Sequence, residues 1–209
     1  SVMEKYIDLH IHSTYSEGSL TPRQIVEKAK QYNLKVLSLT DHNTVNGVSD
    51  FLVLCKKAGI KGIPGIELYA QWRGQVFHLL GYFIDHQNNW LRVTLEELCA
   101  KRYSDVEEMS FHLKKQGFLF NFEALRKTGS DYLGFGQIIE HLKLFPKNIR
   151  KIQRDLKTKD PEFFDVVNHY FRRKRGPALQ ETAIPLKDAL LLIKKSGGMA
   201  ILAHPAKHL

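Results

Sequence analysis

His10 and His12, one residue apart, are the first residues whose types and spacing point to chemistry. They stand in Tyr6-Ile7-Asp8-Leu9-His10-Ile11-His12-Ser13, where apolar Ile7, Leu9 and Ile11 alternate with polar Asp8, His10 and His12. That is the period of a β-strand, whose side chains two apart share a face at a rise of roughly 6.6 Å. Both imidazoles are therefore expected on one face, with the aliphatics burying the other. Two neutral imidazoles so placed can hold one divalent cation between them. Asp8 shares their face and is expected to orient a histidine. A half-buried strand with two exposed histidines is the alternative reading of this stretch. Further residues poorly suited to a core, Asp41, His42, Glu67, His78 and His204, fall at or near the C-terminal ends of other strands read below. Active sites of βα barrels and open α/β sheets gather at that edge.

These residues need a scaffold, and the local patterns supply one. Thr21-Pro22-Arg23-Gln24 reads as a helix start, with Thr as N-cap, Pro at the first helical position and Gln at the third. That helix runs to about Asn33. Strands are expected over residues 35–40, 62–68 and 76–82, with a helix over 47–58. The order of strands and helices predicts parallel βα units, an α/β fold. From Phe83 the texture changes to helical spacing over 91–117 and 136–144. A basic stretch over 148–159 carries Arg150, Lys151, Arg154, Lys157 and Lys159. A helix is expected from Pro161, followed by Arg172-Arg173-Lys174-Arg175-Gly176. Residues 86–179 read as a helical insertion between a first part, 1–85, and a second part, 180–209. The basic clusters there could grip a phosphate backbone or be a solvated face. The second part holds an amphipathic helix over 185–196 and a buried strand over 199–205 that ends at His204. Lys207 is placed to meet a phosphate. A strand ending on so functional a residue predicts that the sheet continues beyond Leu209.

Composition narrows the classes. The chain has 209 residues, 43% hydrophobic and 25% charged, as in soluble globular proteins. No apolar run approaches the ~20 residues of a membrane span, and the start has no signal-peptide pattern. Cys55 and Cys99 are too few for a disulfide framework, so a cytoplasmic protein with reduced thiols is expected. The net charge of +9 points to an anionic substrate such as a phosphate ester or nucleic acid.

Taken together, Asp8-Leu9-His10-Ile11-His12-Ser13, Thr40-Asp41-His42, Gly65-Ile66-Glu67, His78-Leu79-Leu80-Gly81-Tyr82 and Leu202-Ala203-His204-Pro205 resemble the ordered motifs of the PHP superfamily, named for polymerase and histidinol phosphatase. Glu17-Gly18-Ser19-Leu20-Thr21-Pro22 is similar to a stretch of its small phosphoesterases. That branch hydrolyses nucleoside 3′,5′-bisphosphates or trims short RNA from the 5′ end. The resemblance implies a distorted βα barrel with a helical insertion and up to three divalent ions, Mn, Fe or Zn. His10, His12 and Glu67 would hold the first. Glu67 would bridge to a second held by His78 and His204, and Glu17 and His42 would serve a third. Asp41 would orient a histidine, and His42 is a candidate proton donor to the leaving alcohol. A water bridging two ions would be the nucleophile. The chain departs from the pattern in having Glu17 in place of Asp. It lacks an Arg-Pro-His run in the insertion, where Gly134-Phe135-Gly136-Gln137 stands, and it lacks a final Asp-x-His. A barrel incomplete at its C-terminus is therefore expected, with weak hydrolysis of phosphomonoesters. The expected substrate is a nucleotide or short RNA. A catalytically inactive metal-binding module and a histidinol-phosphate phosphatase are the alternatives, and the oligomeric state is left open.

Overall fold

The computed structural model describes residues 6–172 and 178–207. Arg173, Lys174 and Arg175 and the side chain of Lys207 lie outside the described residues. The chain folds as β1 (Tyr6–Ile11), α1 (Pro22–Gln31), β2 (Leu34–Leu39), α2 (Val48–Lys57), β3 (Lys61–Trp72) and β4 (Gln75–Tyr82). The helices α3 (Asn89–Lys115), α4 (Phe122–Arg126), α5 (Phe135–Lys143), α6 (Pro146–Leu156) and α7 (Phe163–Tyr170) follow. The last elements are β5 (Ile184–Pro185), α8 (Leu186–Lys195) and β6 (Met199–Leu202).

The strands form one curled half-barrel sheet in the order β1-β2-β3-β4-β6, with β5 beside the end of β3. β1, β2 and β3 are parallel, as the βα pattern predicts. β4 is not. β3 runs on past its expected end, turns through Arg73 and Gly74, both at positive φ, and returns antiparallel as β4. Two consecutive positive-φ residues match the twist of a tight hairpin. β3 thus pairs with β2 through Pro64 and with β4 from Gly65 onward. At this switch a Cβ on Gly65 would lie 2.4 Å from Ser38 Oγ and 2.9 Å from the Leu39 carbonyl oxygen, so only glycine allows the two backbones this close.

The edge strands differ from expectation. Ile7 of β1 is 62% exposed, and Met199, Ile201 and Leu202 of β6 are exposed as well; among the described residues each of these strands is paired on one side only and lies at an end of the sheet. The apolar core lies further in. Ile25, Val26 and Ala29 of α1 pack with Phe51 and Cys55 of α2 on Leu37 and Leu39. Behind β3 and β4, Ile66, Leu68 and Leu79 meet Leu91 and Leu95 of α3 and Ala189 and Ile193 of α8. The start of α1 is built as expected: Thr21 Oγ1 accepts from Gln24 N–H, Gln24 Oε1 accepts from Thr21 N–H, and Pro22 opens the first turn. The basic stretch predicted without a defined element is largely α6. The helices α3 to α7 share a separate apolar cluster that includes Val106, Leu133, Ile138, Ile152, Val167 and Phe171.

Candidate metal centre

Glu67 lies in the middle of β3, where the strand has left β2 and the loop after β2 runs beside it. Glu67 N–H donates to the Asp41 carbonyl (3.1 Å), and Asn43 N–H donates to the Glu67 carbonyl (2.9 Å). Asn43 Oδ1 accepts from Tyr69 N–H (3.2 Å), and Asn43 Nδ2 donates to the Thr182 carbonyl (2.8 Å). This brace holds a carboxylate that is only 1% exposed. Its Oε2 is 2.8 Å from His10 Nε2, 3.1 Å from His12 Nε2 and 3.5 Å from His42 Nδ1. Its Oε1 is 2.9 Å from His78 Nδ1 and 3.3 Å from His204 Nε2. One oxygen therefore faces the imidazoles of β1 and the loop after β2, and the other faces those of β4 and the loop after β6.

The elements explain the convergence. His10 is in β1 and His12 just past its end, so the expected strand period brings both rings to the centre. His42 follows β2, and His204 follows β6 at a positive φ of 30°. His78 departs from expectation. It sits in the first half of a strand that runs the other way, opposite Tyr69, and reaches the centre because antiparallel pairing puts paired residues on one face. The His42 ring is wedged between His12 (centroids 4.4 Å apart, 15° between planes) and Tyr69 (4.5 Å, 13°). Its Nε2 lies 3.4 Å from Glu17 Oε1.

Charge and burial are coupled here. Burial opposes ionisation of Glu67, yet the hydrogen bonds with His10, His12 and His78 more than offset it and hold the carboxyl far below its usual range. Burial opposes protonation of His12, but its hydrogen bond to Glu67 and the charges of Glu67, Glu17 and Asp41 raise its pKa. The hydrogen bond with His42 leads in lowering the Glu17 pKa, against the cost of burial. A cation among these groups would reverse the preference of His12 and favour neutral imidazoles.

Asp41 stands apart from the rings. Its carboxylate accepts from Ser13 N–H and Ser13 Oγ (both 2.6 Å) and from Ser16 Oγ (2.5 Å). It thereby pins the loop that carries Glu17. The same loop turns tightly at Gly18, where a Cβ would come within 2.2 Å of the His12 carbonyl oxygen. Asp8 accepts from the backbone N–H of His10 at 3.3 Å, and no ring contact of Asp8 is recorded among the described residues.

Sequence reasoning missed the groups behind His42. Tyr69 carried a usable signal, since it lies two residues beyond Glu67 on the same strand face. Tyr132 carried none. Its ring is 5.8 Å from that of His42 and 5.3 Å from that of Tyr69, and its hydroxyl donates to Glu181. Below it, fully buried Arg102 donates Nε–H to the Leu133 carbonyl and Nη1–H to the Gln180 carbonyl, both at 2.7 Å. Ser130 Oγ donates to the Ser16 carbonyl (2.9 Å), and Asp131 accepts from Thr44 Oγ1 (2.7 Å) and Asn46 Nδ2 (2.8 Å). The helical segment is thus tied to both loops of the centre.

Among the described residues, three overlapping groups could each hold an ion: His10, His12 and Glu67; His12, Glu17 and His42; and His42, Glu67 and His78. The buried Nδ1 atoms of His12 and His42 have no hydrogen-bond partner among the described residues. A buried lone pair without a donor costs free energy, and coordination would satisfy it. The residues therefore fit divalent cations that take imidazole and carboxylate ligands.

Known proteins share these features. The profile of the PHP domain matches residues 8–151. A 5′-3′ exoribonuclease of Haemophilus influenzae is 27% identical over 207 residues, which cover 99% of this chain and 71% of that protein. A 3′,5′-nucleoside bisphosphate phosphatase of Chromobacterium violaceum is 26% identical over 204 residues, covering 97% of this chain and 67% of that protein. The chain thus spans about two thirds of the length of such relatives. A solved protein of Bifidobacterium adolescentis, described as a metal-dependent phosphoesterase, has the same fold at a TM-score of 0.74 over 97% of this chain and 67% of its own, with 18% sequence identity.

Proposed function

Since the chain belongs to the PHP domain family, we propose that it is a metal-dependent phosphoesterase that removes phosphate from nucleotides or short RNA. The observation that carries this reading is the shared carboxylate of Glu67, whose two oxygens face separate groups of imidazoles. A carboxylate so shared suits two cations held side by side. We assign His10, His12 and Glu67 to one ion, Glu67, His78 and His204 to a second, and His42 with Glu17 to a third, with Mn, Fe and Zn as the candidates. Such ions would polarise the phosphoryl oxygens and activate water. The protein's own residues do the rest. Glu67 is held rigid by the Asp41 and Asn43 backbones, so the imidazoles converge without rearrangement. Ser13 and Ser16 fix Asp41, and through it the loop that presents Glu17 to His42. His42 is buried between two rings and faces two carboxylates, which favours ligation over proton donation. The net charge of +9 suits an anionic substrate. In this assignment residues 86–179 are a helical insertion whose loop 130–132 closes one side of the centre.

The test is phosphate release from a nucleoside 3′,5′-bisphosphate and from a short 5′-phosphorylated RNA with Mn²⁺ present. Turnover that chelator abolishes and Mn²⁺ restores is expected. Metal bound without turnover on either substrate would make the chain a metal-binding module. Failure to bind Mn²⁺, Fe²⁺ or Zn²⁺ would refute the reading altogether.

A further inference from the structure

We propose that the helical segment carries a track for single-stranded RNA leading away from the metal centre, formed by the outer face of α6 and the exposed aromatic pair at the start of α7. It rests on the reading of the centre as a nucleotide or RNA phosphoesterase. Asn148 and Ile152 are the buried side of α6, and the Asn148 amide is locked to the backbone of Leu119 and Leu142. On other faces Lys147, Arg150, Arg154 and Lys157 recur at steps of three, four and three residues, and all are exposed. Such steps keep side chains on one side of a helix, with successive charges about 4.5–6 Å apart along the axis. Among the described residues, no carboxylate is in ion-pair reach of Lys147, Arg150 or Lys157. Arg154 has Asp155 at 3.6 Å, but that carboxylate is already held by Lys151 at 2.6 Å. Lys151 differs from the row, since it is half-buried and lies over the Phe118 ring. A row of close, mostly unpaired cations repels itself and is relieved by a polyanion.

The second observation is aromatic. Phe163 and Phe164 are 43% and 60% exposed, with ring centroids 5.2 Å apart, on a helix that packs against α6. Exposed rings on a helix packed against the one that carries a cationic row suit a single strand whose bases stack while its phosphates follow the charges. Paired bases offer no free faces, so a single strand is the partner that fits.

Placement connects the track to the centre. Phe171, just past the end of α7, meets Phe135 in the first turn of α5 at 5.5 Å. Gly134, which precedes that turn, abuts the Glu17 carboxylate. The C-terminal end of α7 is thus linked to the centre through α5, and its aromatic start lies at the opposite end of the helix, about 12 Å along its axis, the length of eight helical residues. On this proposal a longer strand engages the track, whereas a single nucleotide with its phosphate at the centre does not.

The experiment uses chelator-treated protein, so that RNA binds without hydrolysis, and a labelled single strand of ~12 nucleotides, within the usual range for such surfaces. The substitutions Lys147→Ala, Arg150→Ala and Arg154→Ala, made together, are expected to weaken binding about tenfold or more and to lower the salt slope by about 2. Phe163→Ala with Phe164→Ala is expected to weaken binding at least about fivefold with the slope unchanged. Hydrolysis of a nucleoside bisphosphate by the Mn²⁺-loaded protein should be the same in both variants. An unchanged salt slope in the triple variant would overturn the proposal. So would equal weakening for the 12-mer and for a mononucleotide, or loss of binding to phosphatidylserine vesicles with RNA binding intact. If no phosphomonoester is hydrolysed but RNA still binds through these residues, the hydrolase reading fails and the track stands.

Discussion

Replacing Glu67 by Gln removes one negative charge from the point where five imidazoles meet, with almost no change of volume. Without a cation, the three nearest nitrogens lie 2.8, 2.9 and 3.1 Å from this carboxylate. Removing one partner of a buried charged group costs about 3–5 kcal/mol. The histidines are 20–32% exposed and can shed their protons to water, so the lower end, about 3 kcal/mol, is expected. For a chain of this size that corresponds to a melting point lower by about 6–12 °C. The effect depends on pH from both sides. The lowered Glu67 pKa stabilises the fold above its ordinary value of about 4.3, and that contribution fades as pH falls. The raised His12 pKa stabilises it below about 6.5, and that contribution fades as pH climbs through the raised value. The gap between wild type and variant should therefore be widest between about pH 4.3 and 6.5, as read from urea midpoints in metal-free buffer. Metal affinity should also fall, by more than the ~10–100-fold typical of losing a group that only orients a ligand. A variant as stable as wild type at pH 5.5 that binds as many Mn²⁺ ions would refute the central role given to Glu67.

Three further outcomes follow from the geometry. Gly18→Ala should destabilise by about 3 kcal/mol and weaken metal binding, because the new Cβ meets the His12 carbonyl, whereas Gly136→Ala in α5 meets nothing within 4 Å and should be neutral or stabilising by up to about 1 kcal/mol; urea midpoints compare them. Ser16→Ala should cost about 1–3 kcal/mol by leaving buried Asp41 short of a donor, with a strongly non-additive cost when combined with Ser13→Ala in a double-mutant cycle. Burial pushes the Cys55 thiol up to about 11, so its contribution to stability, up to about 3 kcal/mol, is complete below about pH 8.5 and lost as pH rises through 11; thiol-reagent kinetics against pH check the value.

Local patterns made the first half of the chain legible. The strand period that brings His10 and His12 to one side, the Thr21–Gln24 cap and the strand read at residues 35–40, which forms over Leu34–Leu39, depend on near neighbours. What was misread depends on distant partners. Nothing local to residues 62–68 tells a strand that it will change partners at Gly65, so the hairpin and the reversed direction of β4 were missed. The apolar runs of β1 and β6 read as buried, but burial depends on how many strands flank them. Of the candidate site, the histidines and carboxylates stood out because such residues rarely gather at one sheet edge. Tyr132, Arg102 and Asn43 did not, since their roles arise only when the helical segment folds back onto the loops after β1 and β2.

The split of the Glu67 carboxylate also matters for how the chain assembles. Its partners come from near the beginning of the chain, at His10, and from near the end of the described residues, at His204. A cation shared among them would close loops spanning nearly the whole chain, and the entropy lost on closing a loop grows with its length. Metal should then act on folding as a long-range crosslink, with most of its benefit arriving late, after β3 has paired on both sides. Refolding with and without Mn²⁺ would show this as a slower unfolding rate with little change in the folding rate.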